Sequence, residues 1–132
     1  MVDVGNLNLT ILSGGSSIAA TGNCYYYRFG RVVIANYAAW SMTVNSRTSD
    51  VFTLKLPYEN MTFRALGTVG YHNFGATFVP LVIGATSNDP DRMFLTQQNG
   101  TGDKAIKGTD LTGSYTWQAT LVYYTNGTKL AN

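Results

Sequence analysis

Apolar and polar residues alternate along most of this chain, and that period of two constrains its fold more than any other feature. Near the start Leu7, Leu9 and Ile11 alternate with Asn6, Asn8 and Thr10, until Ser13, Gly14, Gly15 and Ser16 supply a turn. Tyr25, Tyr27 and Phe29 then share one face with Tyr26 and Arg28 on the other. Gly30 and Arg31 join them tightly to Val32, Val33 and Ile34, the pattern of a β-hairpin. Trp40, Met42 and Val44 alternate with Ala39, Ser41 and Thr43, which assigns the tryptophan and the two aliphatic residues to one face. After a polar loop at 45–50, Phe52, Leu54 and Leu56 form the buried face of a strand that Pro57 closes, since proline cannot donate to a ladder.

Phe63, Ala65 and Val69 continue the alternation, and Phe78, Val79, Leu81 and Ile83 resume it after Gly67, Gly70 and Gly75, where bulges or close backbone approaches are expected. Met93, Phe94 and Leu95 make a short strand between a turn from Ser87 to Asp91 and another from Asn99 to Asp103. In the last long strand, from Ser114 to Thr125, one face carries Tyr115, Trp117, Ala119, Leu121 and Tyr123. The other carries Thr116, Gln118, Thr120 and Val122, and Asn126 and Gly127 end the strand.

No stretch keeps apolar residues at helical spacing for two turns between capping residues. About ten short strands with regularly spaced turns predict an all-β fold, an antiparallel β-sandwich of jelly-roll type with no sustained helix. With 132 residues and no linker, repeat or low-complexity tract, the chain reads as a single domain spanning 1–132, large enough to bury a core without metal or disulfide support. Charged residues make up only 12% of it, about half the usual share, so Thr, Ser, Asn, Gly and Tyr must cover the surface.

The chemistry this chain can support is narrow. It has one histidine, His72, and one cysteine, Cys24, which cannot between them build a zinc site or an intramolecular disulfide. Cys24 adjoins the run Tyr25, Tyr26 and Tyr27, where a small buried thiol is expected. No serine sits in a nucleophile elbow. The carboxylates Asp3, Asp50, Glu59, Asp89, Asp91, Asp103 and Asp110 fall in expected loops or at strand ends, and Asp89 and Asp91 flank Pro90 as turn residues do. The reading is therefore not an enzyme, with no catalytic residues, no metal and no cofactor. Nine basic residues are scattered through the chain, which leaves no footprint for nucleic acid, and no apolar run is long enough for membrane insertion. No basic start followed by an apolar core directs export, so action outside a cell calls for lysis, fusion or a longer parent chain.

What remains is binding. Sugar rings stack their C–H faces on Trp and Tyr while their hydroxyls need Asn, Asp, His or Arg nearby. The richest clusters of those types are Tyr71, His72 and Asn73, and the loop with Asp89, Asp91 and Arg92, which together form the expected carbohydrate-binding site. Trp40 and Trp117, on strands with apolar neighbours, are expected in the core or between chains ahead of ligand stacking.

The segment Tyr26, Tyr27, Arg28, Phe29, Gly30, Arg31, Val32, Val33, Ile34 resembles a hairpin found in C-terminal head domains of bacteriophage tail fibre and baseplate proteins. Phe52, Thr53, Leu54, Lys55, Leu56, Pro57 looks like the strand ending in Leu-Pro that follows there, and Gly113 to Thr125 like the closing aromatic strand. In that family a Gly and then a Pro commonly follow; here Tyr58, Glu59, Asn60 and Met61 depart from the pattern.

The resemblance implies a β-sandwich receptor-binding head on a virion tail, the C-terminal part of a longer fibre protein. It implies a homotrimer attached to other tail or baseplate proteins, recognising a bacterial cell-surface glycan. The matched motifs are scaffold and carry over no binding residues. The alternatives are a structural module that trimerises or caps a fibre, and an accessory carbohydrate-binding module of an enzyme.

Overall fold

A computed structural model describes residues 2–13, 16–44, 52–74, 81–98, 103–106 and 113–130. No helix occurs among them. Eleven strands follow in chain order: β1 (Val2–Asn8), β2 (Ile11–Ser13), β3 (Ser16–Phe29), β4 (Val32–Val44), β5 (Phe52–Lys55), β6 (Tyr58–Asn60), β7 (Arg64–His72), β8 (Leu81–Thr86), β9 (Arg92–Gln98), β10 (Asp103–Ala105) and β11 (Gly113–Lys129). The expected loop at 45–50, the segment with Gly75, Phe78 and Val79, the turn residues Asn99 to Gly102, and Asp50 and Asp110 lie outside the described residues.

Every pairing is antiparallel, and the sheet closes on itself. The order runs β3–β2–β5–β9–β8–β7–β11–β4, and β4 pairs again with β3. The long β3 makes this possible. Its first residues pair with β2 through Ile11↔Ile18, its later ones with β1 from Asn8↔Asn23 to Val2↔Phe29, and its other edge follows β4 from Ala19↔Thr43 to Phe29↔Val32. Closure hides most of the strand edges that would otherwise pair with other chains. The β3–β4 turn is the two-residue connection that the sequence calls for. Gly30 has φ +60 and Arg31 does not share the positive φ, the requirement of a type II′ turn.

Alternation places the core. β4 buries Val33, Ala35, Tyr37 and Ala39, β5 buries Phe52 and Leu54, and β11 buries Trp117, Ala119, Leu121 and Tyr123, as the last strand's pattern predicts. These side chains, with Ile11, Ile83, Met93 and Leu95, meet in one cluster inside the ring. Cys24 is buried there as expected, and burial pushes its thiol up to about 12. Trp117 Nε1 and Asn23 Oδ1 are buried without a hydrogen-bond partner among the described residues.

The structure departs from simple alternation in three places. Trp40 is 56% exposed whereas Met42 and Val44 are buried. Opposite β3 the register passes from Gly22↔Ala39 to Thr21↔Ser41, so Trp40 is an extra residue, a bulge that turns it out of the core. The first strand pattern is split at Leu9 and Thr10, where the chain crosses from one part of β3's edge to another, leaving Leu7 and Leu9 only partly buried. Finally, β11 does not stop at Asn126 and Gly127. It continues to Lys129, with an irregular register against β6 and a left-handed Gly127 at φ +97.

Candidate functional site

The two clusters expected to form one site stand apart. β7 and β8 pair antiparallel with Arg64↔Thr86, so Asp89, Asp91 and Arg92, which follow β8, lie near the start of β7. Tyr71 and His72 end that nine-residue strand, roughly 26 Å away at about 3.3 Å per residue.

The turn with Asp89 is held by backbone bonds. Asp89 N donates to Thr86 O at 3.2 Å, and Arg92 N donates to Asp89 O at 3.3 Å. The turn is also docked on the chain beside β5 and β6, with Leu56 N donating to Asp91 O at 3.0 Å and Asn60 N to Pro90 O at 2.8 Å. Arg92 Nε sits 3.7 Å from Asp91 Oδ1 with both side chains about half exposed, a weak pair in water. No three His, Cys, Asp or Glu side chains gather to hold a metal among the described residues.

At the far end of β7, alternation divides the other cluster. Tyr71 pairs with Gln118 on the outer face and is 53% exposed, whereas His72 pairs with the buried Trp117. His72 Nδ1 accepts the Phe74 N–H at 3.3 Å, and its ring stacks on Phe74 at 5.6 Å. Asn73 extends the ladder: its N–H donates to Thr116 O at 3.2 Å and its Oδ1 accepts Thr116 N at 2.8 Å. Of the three, Tyr71 alone is left as an outward-facing ring.

Register shows what surrounds Tyr71. Across β3, β4, β11 and β7, Tyr25, Asn36, Thr120 and Thr68 form one row of outward side chains, and Ala38, Gln118 and Tyr71 form the next, which the buried Asn23 continues on β3. Ala38 is small, and Gly70 is an extra residue opposite Gln118 and Ala119, so the sheet surface dips between these rows. The dip is an open groove of about 300 Å³ lined by Tyr25, Asn36, Ala38, Thr68, Gly70, Gln118 and Thr120. The Thr120 hydroxyl donates to Asn36 Oδ1 at 2.8 Å, which orients the amide and leaves its NH₂ to donate. Gln118 is exposed and its amide has no intramolecular partner among the described residues.

The same face changes character along the strands. Beyond the Tyr25 row come Val4, Tyr27, Ile34 and Val122, then Val2, Phe29, Val32 and Tyr124. Val2 is 64% exposed, Val122 54% and Tyr124 59%. One end of the outer face is thus polar and aromatic, the other apolar.

A second polar cluster lies where β1 meets the end of β11. The Asp3 carboxylate accepts hydrogen bonds from the Tyr58 hydroxyl, from Lys129 Nζ at 3.2 Å and from the Tyr26 hydroxyl at 3.5 Å. The Tyr58 bond first, then Lys129, hold its carboxyl below the usual range. Arg28 lies over the Tyr58 ring at 4.7 Å. This cluster contains no nucleophile beside a base and acts as a tie between the chain's two ends.

Sequence reasoning did not single out Tyr25, Asn36, Thr68, Gln118 or Thr120 as site residues. Their only signal was a polar or aromatic outward position, shared with many others, until strand pairing set them side by side. No family model, curated protein or solved structure matches the chain.

Proposed function

We propose that this chain is a non-catalytic receptor-binding domain, the head of a phage tail or related phage-derived particle, that holds bacterial surface saccharide in the groove between Tyr25 and Tyr71. The composition of that groove carries the reading. The half-exposed ring of Tyr25 lines it with an amide that has free donors at Asn36, a second amide at Gln118 and the hydroxyl of Thr68, and the half-exposed Tyr71 pairs with Gln118 just beyond the lining. Aromatic faces suit sugar C–H surfaces, and amides with hydroxyls suit sugar hydroxyls. An open groove on a paired sheet suits a saccharide chain, whose neighbouring units extend past the site. The resemblance of residues 26–34, 52–57 and 113–125 to phage tail heads supports the setting, and with it attachment to other tail or baseplate proteins at the host surface.

The apolar end of the face supports assembly as a homotrimer. Val2, Val4, Tyr27, Phe29, Val122 and Tyr124 together expose on the order of 600 Å², approaching the roughly 800 Å² that a stable interface takes from each partner. The partner we assign to it is another copy of the chain. Three copies joined there present three weak grooves, which strengthens attachment by multivalency.

Binding to arrayed bacterial polysaccharides tests the groove. The wild-type chain is expected to bind, and Tyr25→Ala and Tyr71→Ala each to lose about tenfold in affinity, or ~1.4 kcal/mol. Unaltered binding by both variants overturns the site. Light scattering that finds a monomer at high concentration overturns the trimer. A second reading, a trimerising or capping module that touches no receptor, is favoured by the apolar end alone. It predicts trimers that bind nothing on the array.

A further inference from the structure

The backbone ladder does not close everywhere. β1 pairs with β3 alone, and among the described residues no backbone hydrogen bond joins its other edge to residues 55–58. At one end of this gap the Tyr58 hydroxyl reaches across to the Asp3 carboxylate. At the other end β2 and β5 stop pairing at Ile11↔Leu54, and a cleft of about 290 Å³ opens.

Its walls are mostly apolar: Leu7, Leu9, Leu12, Leu54, Cys24 and Tyr37 line it, with Asn8, Thr10 and Thr53 among them. Three polar groups within it are already occupied or neutral. The Tyr37 hydroxyl donates to Lys55 O at 2.9 Å, Leu9 N donates to Gly22 O at 3.1 Å, and burial keeps the Cys24 thiol protonated. Leucines make up most of the wall, so an apolar body fits there. The rim is charged. Asp91 and Arg92 stand together at 3.7 Å and largely cancel, whereas the exposed Lys55 has no ion-pair partner among the described residues. The mouth therefore carries a net positive charge.

We propose that this cleft binds a small anionic amphiphile, a medium-chain carboxylate with its chain among the leucines and its head at Lys55. The volume is about twice the ~150 Å³ of an apolar cavity that holds one benzene, which suits a chain of about eight carbons. The cleft shares only Tyr37 with the lining of the saccharide groove and does not rest on that reading.

Calorimetry with octanoate, 1-octanol and octylammonium as probes on the full chain tests it. Octanoate is expected to bind saturably at one site per chain, and octylammonium about tenfold more weakly. Lys55→Glu is expected to weaken octanoate about fivefold or more while leaving octanol unchanged. Leu9→Trp fills the cleft, and loss of octanoate binding there, with circular dichroism unaltered, supports the site. Thr10→Trp at the exposed mouth serves if Leu9→Trp fails to fold. Absence of saturable octanoate binding up to about 10 mM, equal affinity for all three probes, or binding that survives a folded tryptophan variant overturns the proposal. Polysaccharide binding is expected to be unaffected by these variants, which keeps the two tests distinct.

Discussion

Tyr123 and Tyr58 hold each other twice: the Tyr123 hydroxyl donates to Tyr58 O at 2.8 Å and accepts the Tyr58 N–H at 3.2 Å. Both residues are buried, and the bond pair joins β11 to β6 where their ladder keeps only Thr125↔Asn60 and Lys129↔Tyr58. Tyr123→Phe strands a buried donor and a buried acceptor, and is expected to lower stability by about 2 kcal/mol in urea unfolding. A change below a few tenths would mean that water or a shift of β6 replaces the hydroxyl.

Asp3 links β1 to Tyr58 and Lys129, and those bonds favour its charged form. A carboxyl held below its unfolded value binds its proton less readily in the folded chain. Its stabilisation is present above about pH 4 and is lost as the pH falls through the lowered folded value. Thermal melts from pH 7 to pH 2 are expected to show a steeper acid loss for the wild type than for Asp3→Asn. Parallel curves would show that Asp3 does not drive the acid limb.

Cys24, Tyr37 and Tyr123 are acids whose neutral forms burial favours, with the thiol pushed up to about 12. The unfolded chain loses these protons first, so stability is intact below the ordinary thiol value of 9.0 and falls as the pH rises above it. Native protein at pH 8.5 is expected to resist thiol alkylation that goes to completion in denaturant. Rapid labelling of folded protein would place Cys24 in contact with solvent.

Gly67 is where β7 and β11 approach most tightly. An added Cβ would lie 2.3 Å from Thr120 O and 2.6 Å from Ile83 Cγ1, while one at Gly70 meets nothing within 4 Å. Gly67→Ala is expected to cost about 1–3 kcal/mol and Gly70→Ala less than about 0.5 kcal/mol. Denaturant midpoints of the two variants check the contrast, and equal shifts would contradict the close approach.

The two tryptophans measure how much of the fold was legible beforehand. Trp117→Ala is expected to cost about 3–5 kcal/mol and Trp40→Ala under about 1 kcal/mol, read from urea unfolding. Alternation assigned Trp117 to the core correctly because β11 keeps its period through that stretch. It misassigned Trp40 because one bulged residue reverses the face of every residue on one side of it, and a bulge has no signature in composition. The expected site was legible in the same partial way. The residue types around Tyr71 are readable in the sequence, but only the structure shows that His72 Nδ1 and Asn73 Oδ1 accept backbone N–H groups of Phe74 and Thr116 and that the Asp91 turn belongs to the other end of the sheet.

Local chemistry was enough to determine an all-β antiparallel chain, the turn at Gly30, the buried thiol and the inner face of the last strand. Each follows from the period of two, from the ordinary burial of a cysteine or from a glycine's freedom at positive φ, and none of these depends on distant residues. Only the tertiary structure decided that β3 serves β2, β1 and β4 together, that β1 keeps one edge unpaired among the described residues, and that Tyr25, Asn36, Thr68 and Gln118 meet on one groove. Those residues come from separate strands, and which strands become neighbours is fixed by closing the ring around a shared core, a condition met by the whole chain at once.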